Sequence, residues 1–91
     1  MLRRPVPAGF EVLLYLIAPG AVRPYRAEDW RDALVVLERG VVELHGTDGG
    51  RLRLAPGAVL FLCGLPLRSL ANPGSELALL SGVVRRAAAR R

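Results

Sequence analysis

The chain has 91 residues, enough for one domain but not for two. A domain of this size buries only about 60–65% of its unfolded surface, so its core is modest. One cysteine excludes an internal disulfide and a multi-cysteine zinc site, and the cytoplasm is the expected compartment. The net charge of +5 comes from the ends: residues 8–82 hold seven arginines against eight acids, whereas Arg3, Arg4, Arg85, Arg86, Arg90 and Arg91 carry the excess. The body is therefore close to neutral, and nucleic-acid binding would rest on two short basic segments without interleaved aromatics.

No uncharged stretch reaches the roughly 18 residues that a membrane span needs. Arg3 and Arg4 ahead of Val12–Ala18 resemble a weak export signal, but Glu11 interrupts the approach and the apolar run is short. Phe10–Ala18 is read instead as a first strand ending at the Pro19-Gly20 turn. Residues 21–32, with Pro24 and Trp30, read as irregular. Ala33–Arg39 is a second strand, Gly40 a bend or bulge, and Val41–His45 the continuation of the sheet. Gly46-Thr47-Asp48-Gly49-Gly50 is a hairpin turn returning through Arg51–Leu54.

Pro56-Gly57 turns the chain again. Ala58–Leu62 then reads as a buried strand, Cys63–Pro66 as a turn, and Leu67–Asn72 and Glu76–Val84 as the last two strands, separated by Asn72-Pro73-Gly74. Seven or eight short strands at this spacing mean an all-β, antiparallel sandwich or barrel. The expectation is one domain over 1–91, with its core at about 10–84 and basic termini at 1–7 and 83–91. Within the hairpin, period-two alternation puts Val42, Leu44, Leu52 and Leu54 on one face and Glu43, His45, Arg51 and Arg53 on the other. His45, the chain's one histidine, is thereby expected on an exposed polar surface explained by Glu–Arg pairing.

Residues 57–72 resemble the second motif of the cupin superfamily, written G-x5-P-x-G-x2-H-x3-N. Gly57 and Asn72 match it. Cys63 stands at its proline, Leu65 at its second glycine and Arg68 at its histidine. Val36–Leu44 around Gly40 is similar to the strand-bend-strand that closes the family's first motif. The resemblance covers about residues 10–84 and implies a small jelly-roll barrel.

Metal centres of the family take two histidines and a glutamate from the first motif and a histidine from the second. Here the upstream segment Tyr25–Ala33 supplies no histidine, and Ala33 or Asp32 falls on the glutamate position according to the alignment. A carboxylate set facing Arg68 suits a cation poorly, so no metal and no cofactor are expected.

Arg68 becomes the residue of interest. Period two puts Arg68, Leu70 and Asn72 on one face of their strand, and the resemblance implies that this face turns into the barrel, where a guanidinium needs a partner because an isolated buried charge costs several kcal/mol. Three readings stay open: an internal pair with Glu28, Asp29 or Asp32; a bidentate grip on an anionic ligand; or a side chain reaching out of the barrel mouth. Trp30 is a candidate to stack on that ligand or to fill the core, and Asn72 a candidate ligand contact or a turn former. Cys63 is expected to be a small packed thiol.

The candidate ligand residues are thus Arg68, Trp30, Glu28, Asp32 and Asn72, in a metal-free small-molecule-binding or structural module accepting a small anionic or polar ligand. An isomerase or lyase using Arg68 and an acid of Glu28–Asp32 is the enzymatic alternative, and the sequence does not establish an enzyme. A regulator using its basic termini on nucleic acid is the third reading. Apolar runs such as Val59–Leu62 and Leu77–Leu80 point to a homodimer built through β-surface.

Overall fold

The computed structural model describes residues 9–30 and 32–85. Eight strands and one helical turn follow each other along them: β1 (Phe10–Ile17), β2 (Val22–Pro24), α1 (Ala27–Trp30), β3 (Leu34–Arg39), β4 (Val42–Gly46), β5 (Arg51–Leu54), β6 (Val59–Phe61), β7 (Leu67–Ala71) and β8 (Ala78–Arg85). They form two four-stranded sheets, β1-β8-β3-β6 and β2-β7-β4-β5, and every pairing is antiparallel. The chain crosses between the sheets at almost every connection, which is a jelly roll. No helix of the described residues is long and apolar enough to cross a membrane.

Alternation builds the core between the sheets. In β1 the side chains of Tyr15 and Ile17 are buried, while Val12, Leu14 and Leu16 face out. Val35 and Leu37 of β3, Val42 and Leu44 of β4, Leu70 of β7 and Leu80 of β8 complete the filling, all but Leu44 at 2% exposure or less. A fully buried aliphatic side chain contributes about 1.5–3 kcal/mol relative to an exposed one, so this cluster dominates the stability of the domain.

Two glycines are required by this packing. Gly40 has φ +82°, and a Cβ there would lie 2.8 Å from the Ala78 Cα. The bend expected at Gly40 is present, with a register shift in the β3–β8 pairing between Leu37 and Arg39. At Gly82, a Cβ would meet the Tyr15 ring and Ala33 Cβ at 3.3 Å, so its absence lets β8 carry the aromatic ring across its inner face.

The hairpin follows the sequence reading, with Val42 opposite Leu54, Glu43 opposite Arg53, Leu44 opposite Leu52 and His45 opposite Arg51. Asp48 Oδ1 closes its turn by accepting from the Gly50 N–H at 2.8 Å.

Residues 21–32, read as irregular, in fact contain β2 and α1. Such a short strand is hard to see because Pro24 lacks an N–H, a loss tolerated here since β2 lies at a sheet edge. Within Ala58–Leu62, read as a buried strand, Val59–Phe61 forms the short edge strand β6: Val59 and Phe61 are 58% and 59% exposed, whereas Leu62 is completely buried. Val83–Arg85, assigned to the basic tail, are the end of β8. The remaining terminal arginines at 3, 4, 86, 90 and 91 lie outside the described residues.

Candidate functional site

Among the described residues, the arginine on the inner face of the barrel is Arg23, not Arg68. Arg23 stands opposite Leu70 in the β2–β7 pairing and so shares the inner face of the second sheet. Its Cζ lies 5.5 Å from the ring centroids of both Tyr15 and Trp30, and its Nη2 donates to Asp29 Oδ2 at 3.4 Å. Tyr15 and Trp30 stack at 4.1 Å between centroids, tilted by 31°, and the Tyr15 hydroxyl donates to the Asp29 carbonyl at 2.9 Å. A guanidinium over two aromatic faces is electrostatically favourable, by about 1 kcal/mol when partly exposed.

Two donors in this cluster lack an acceptor. Arg23 Nε and Trp30 Nε1 are both buried and form no hydrogen bond. Trp30 is completely buried, placed there by the single turn of α1. Each unmatched N–H disfavours the fold by about 1–3 kcal/mol unless a water or another acceptor reaches it.

Arg68 is exposed, against the expectation of an inward guanidinium. The cause is a bulge. Leu70 faces Leu44 and Ser69 faces His45, but the next pair is Leu67 with Gly46, so Arg68 is an extra residue. The extra residue breaks the alternation: Leu67 packs against the core and Arg68 turns to solvent. It forms no ion pair among the described residues, and the internal pair with Glu28, Asp29 or Asp32 is not made.

The other candidates disperse. Glu28 is exposed, and Asp32 is exposed beside Phe10, Leu34 and Val83 on the outside of the first sheet. Trp30 takes the core position of its two readings. Asn72, 1% exposed, is committed to the backbone: its Nδ2 donates to the carbonyls of Ile17 (2.9 Å) and Glu76 (2.8 Å), and its Oδ1 accepts from the Gly74 N–H (2.9 Å). Cys63 is exposed in a turn rather than packed. Tyr25, unremarked in the sequence, ties the β6–β7 loop down by donating from its hydroxyl to the Leu62 carbonyl.

The outer face of the second sheet is polar, as read. A carboxylate can only accept, so His45 Nε2 carries the proton shared with Glu43 Oε1 at 2.9 Å, leaving Nδ1 to accept from the Ser69 hydroxyl at 3.4 Å. Arg53 Nη2 donates to Glu43 Oε2 at 3.2 Å. The His45 hydrogen bond, against the opposing effect of desolvation and with help from Arg53, holds the Glu43 carboxyl below its ordinary value. His45 is half-buried by these contacts.

No three His, Cys, Asp or Glu side chains converge among the described residues. The inner face carries the Arg23 guanidinium, a positive charge that disfavours a cation bound beside it. This donor set does not fit the metal that the fold family often carries.

A structural comparison matches the chain to a Cupin 2 conserved barrel domain protein from Salinispora arenicola CNS-205, with a TM-score of 0.62 and 25% sequence identity over 96% of this chain and 71% of that one. A scan against family models and a search of curated proteins give no match. The chain is an all-β protein with the cupin fold. The class is therefore the one that the Gly57–Asn72 spacing suggested, with its inner charge on a different strand.

Proposed function

We propose that the chain is a metal-free binding module that takes a small carboxylate or similar anion at the Arg23 edge of the barrel, with Tyr15 and Trp30 as the aromatic wall. The observation that carries this reading is the Arg23 guanidinium on the inner face, over the Trp30 ring, with its Nε–H and the Trp30 N–H both lacking an acceptor. A carboxylate accepts two N–H bonds from a guanidinium side, and a cation backed by aromatic rings favours it over a neutral ligand. About a third of the Arg23 side chain remains exposed, so an anion reaches the guanidinium from its solvent side; the Arg23 Nε and Trp30 Nε1 are themselves buried and become available only if the cluster opens. A cytoplasmic setting suits the single unpaired thiol.

A structural role is the second reading, supported by the complete burial of Leu37, Leu62, Leu70 and Leu80, which leaves the middle of the barrel filled. The isomerase or lyase alternative loses its support, because Arg68 and the acids at 28 and 32 do not form one site.

Trp30 is the one tryptophan, so intrinsic fluorescence reports on this cluster alone. Titration with acetate, malonate and succinate at constant ionic strength is expected to give a saturable change that Arg23→Gln abolishes and Arg68→Gln leaves intact. No saturable change with any of them would leave the structural reading.

A further inference from the structure

β5 ends the second sheet on one side and pairs with β4 alone. The hairpin fixes which of its backbone groups stay free. The Gly46 N–H donates to the Gly50 carbonyl at 2.8 Å, so the alternation of an antiparallel ladder makes Leu44–Leu52 and Val42–Leu54 hydrogen-bonded pairs as well. The N–H and C=O groups of Arg51 and Arg53 therefore point away from β4, along an edge that no other described segment pairs with.

The two sides of this edge differ. Arg51 and Arg53 stand on the outer side with His45 and Glu43. Arg53 donates from Nη2 to Glu43 but its side chain remains 64% exposed, and Arg51 makes no ion pair among the described residues. The Glu43 carboxylate is occupied by His45 and Arg53 and largely covered, so the charge that the edge shows to solvent is positive. Leu52 turns to the inner side, where it is 58% exposed although Leu44 opposite it is buried. An open groove of about 290 Å³ runs beside it, with Leu44, Leu52, Leu65 and Leu67 in its lining. Asp48 joins that lining from the hairpin turn, where its Oδ1 accepts from the Gly50 N–H.

We infer that the β5 edge is a docking site for an extended segment of another protein, one in which an apolar residue has an acid on each side. The segment adds to the four-stranded sheet as a fifth strand and exchanges main-chain hydrogen bonds with Arg51 and Arg53. Residues directly opposite these arginines share their outer side, where carboxylates meet the guanidinium groups. The residue between them covers Leu52 and the side of the groove. Beyond Arg51 the segment carries no further acid, because Asp48 repels one there.

Charge selects this occupant over the two that the chain itself supplies. Pairing of β5 with β5 of a second copy about Leu52 sets Arg51 opposite Arg53 in both directions, and like charges directly opposite oppose the contact. The terminal segments, with arginines at 3, 4, 86, 90 and 91, are basic and are repelled in the same way.

The probe is a capped, fluorescein-labelled peptide with a central glutamate-valine-glutamate between serine and threonine residues, titrated with the full chain. Anisotropy is expected to rise saturably. A peptide of the same composition with its two glutamates adjacent should bind about 10-fold more weakly, because one acid then faces the inner side. Arg51→Glu should weaken binding of the first peptide by about the same factor and favour a peptide with lysines in place of the glutamates. Amide hydrogen exchange on the unaltered chain gives a second readout: saturation with the first peptide should protect the Arg51 and Arg53 amides more than that of Leu52, which already bonds to β4. No saturable binding up to about 1 mM, equal affinity for the two glutamate peptides, or binding that leaves the Arg51 and Arg53 amides unprotected would overturn the site. A single-stranded oligothymidylate bound as tightly as the first peptide would overturn it too, as attraction by charge alone.

Discussion

The Arg23 guanidinium stands 5.5 Å from the centre of the Trp30 ring, and each residue keeps a buried N–H without an acceptor. This pair joins the edge strand β2 to the short helix α1, and Tyr15 of β1 completes it from the facing sheet. Trp30→Ala should remove about 3–5 kcal/mol of stability, because a large side chain leaves a void that the surrounding strands cannot close. For a domain of this length, thermal unfolding should then fall by more than about 10 °C. Arg23→Ala should cost only about 1 kcal/mol, since its ion pair with Asp29 is partly exposed.

Arg68→Ala should change stability by no more than about 0.5 kcal/mol, as expected for an exposed residue without an ion partner. Chemical denaturation checks this directly. A loss above about 3 kcal/mol would mean that Arg68 is buried against a carboxylate and that the β7 bulge is misplaced.

Asn72→Ala should destabilise the domain by about 2–4 kcal/mol. Three hydrogen bonds disappear, and the Ile17 and Glu76 carbonyls lose their donor beside the Pro73-Gly74 turn. Asn72→Asp should be nearly as damaging because it keeps the acceptor for Gly74 but loses both donors. Either variant with a wild-type denaturation midpoint would exclude this anchoring role.

Glu43 gives stability a pH dependence of known sign. Its carboxyl is held below the ordinary value of 4.5, chiefly by the hydrogen bond from His45, so the unfolded chain takes up the proton first as pH falls. The contribution of Glu43 is present above pH 4.5 and disappears as pH drops through the lowered folded value. Thermal unfolding followed from pH 6 to pH 3 should therefore show a smaller acid-induced decline in Glu43→Gln than in the wild type. An identical decline in the two proteins would show that this carboxylate is not linked to folding.

The class of fold was legible in local chemistry. Glycine and proline at 19–20, 46–50, 56–57 and 72–74 force reversals wherever they lie, and alternation between them requires half-buried strands, so the hairpin register from Val42 to Leu54 followed without any tertiary information. Gly40 was readable for the same reason, because a left-handed backbone angle is a property of one residue. β2 was not, since three residues ending in proline form a strand only when β7 offers them hydrogen bonds.

The inner charge was decided by tertiary structure alone. Period-two reasoning assigns Arg68 to the inside because it counts from Leu70 without interruption, and the one extra residue opposite Gly46 reverses that parity. A bulge depends on how two distant segments meet, β4 with β7, and leaves no mark on the composition of either. Arg23 came inside by the complementary route: an edge strand with an exposed end lets a guanidinium lie on Tyr15 and Trp30 while still reaching Asp29 and water. The sequence by itself thus determined that strands would alternate and where they would turn. Which arginine faces the interior, and which sheet turns an apolar face outward, depended on pairings between residues far apart in the chain.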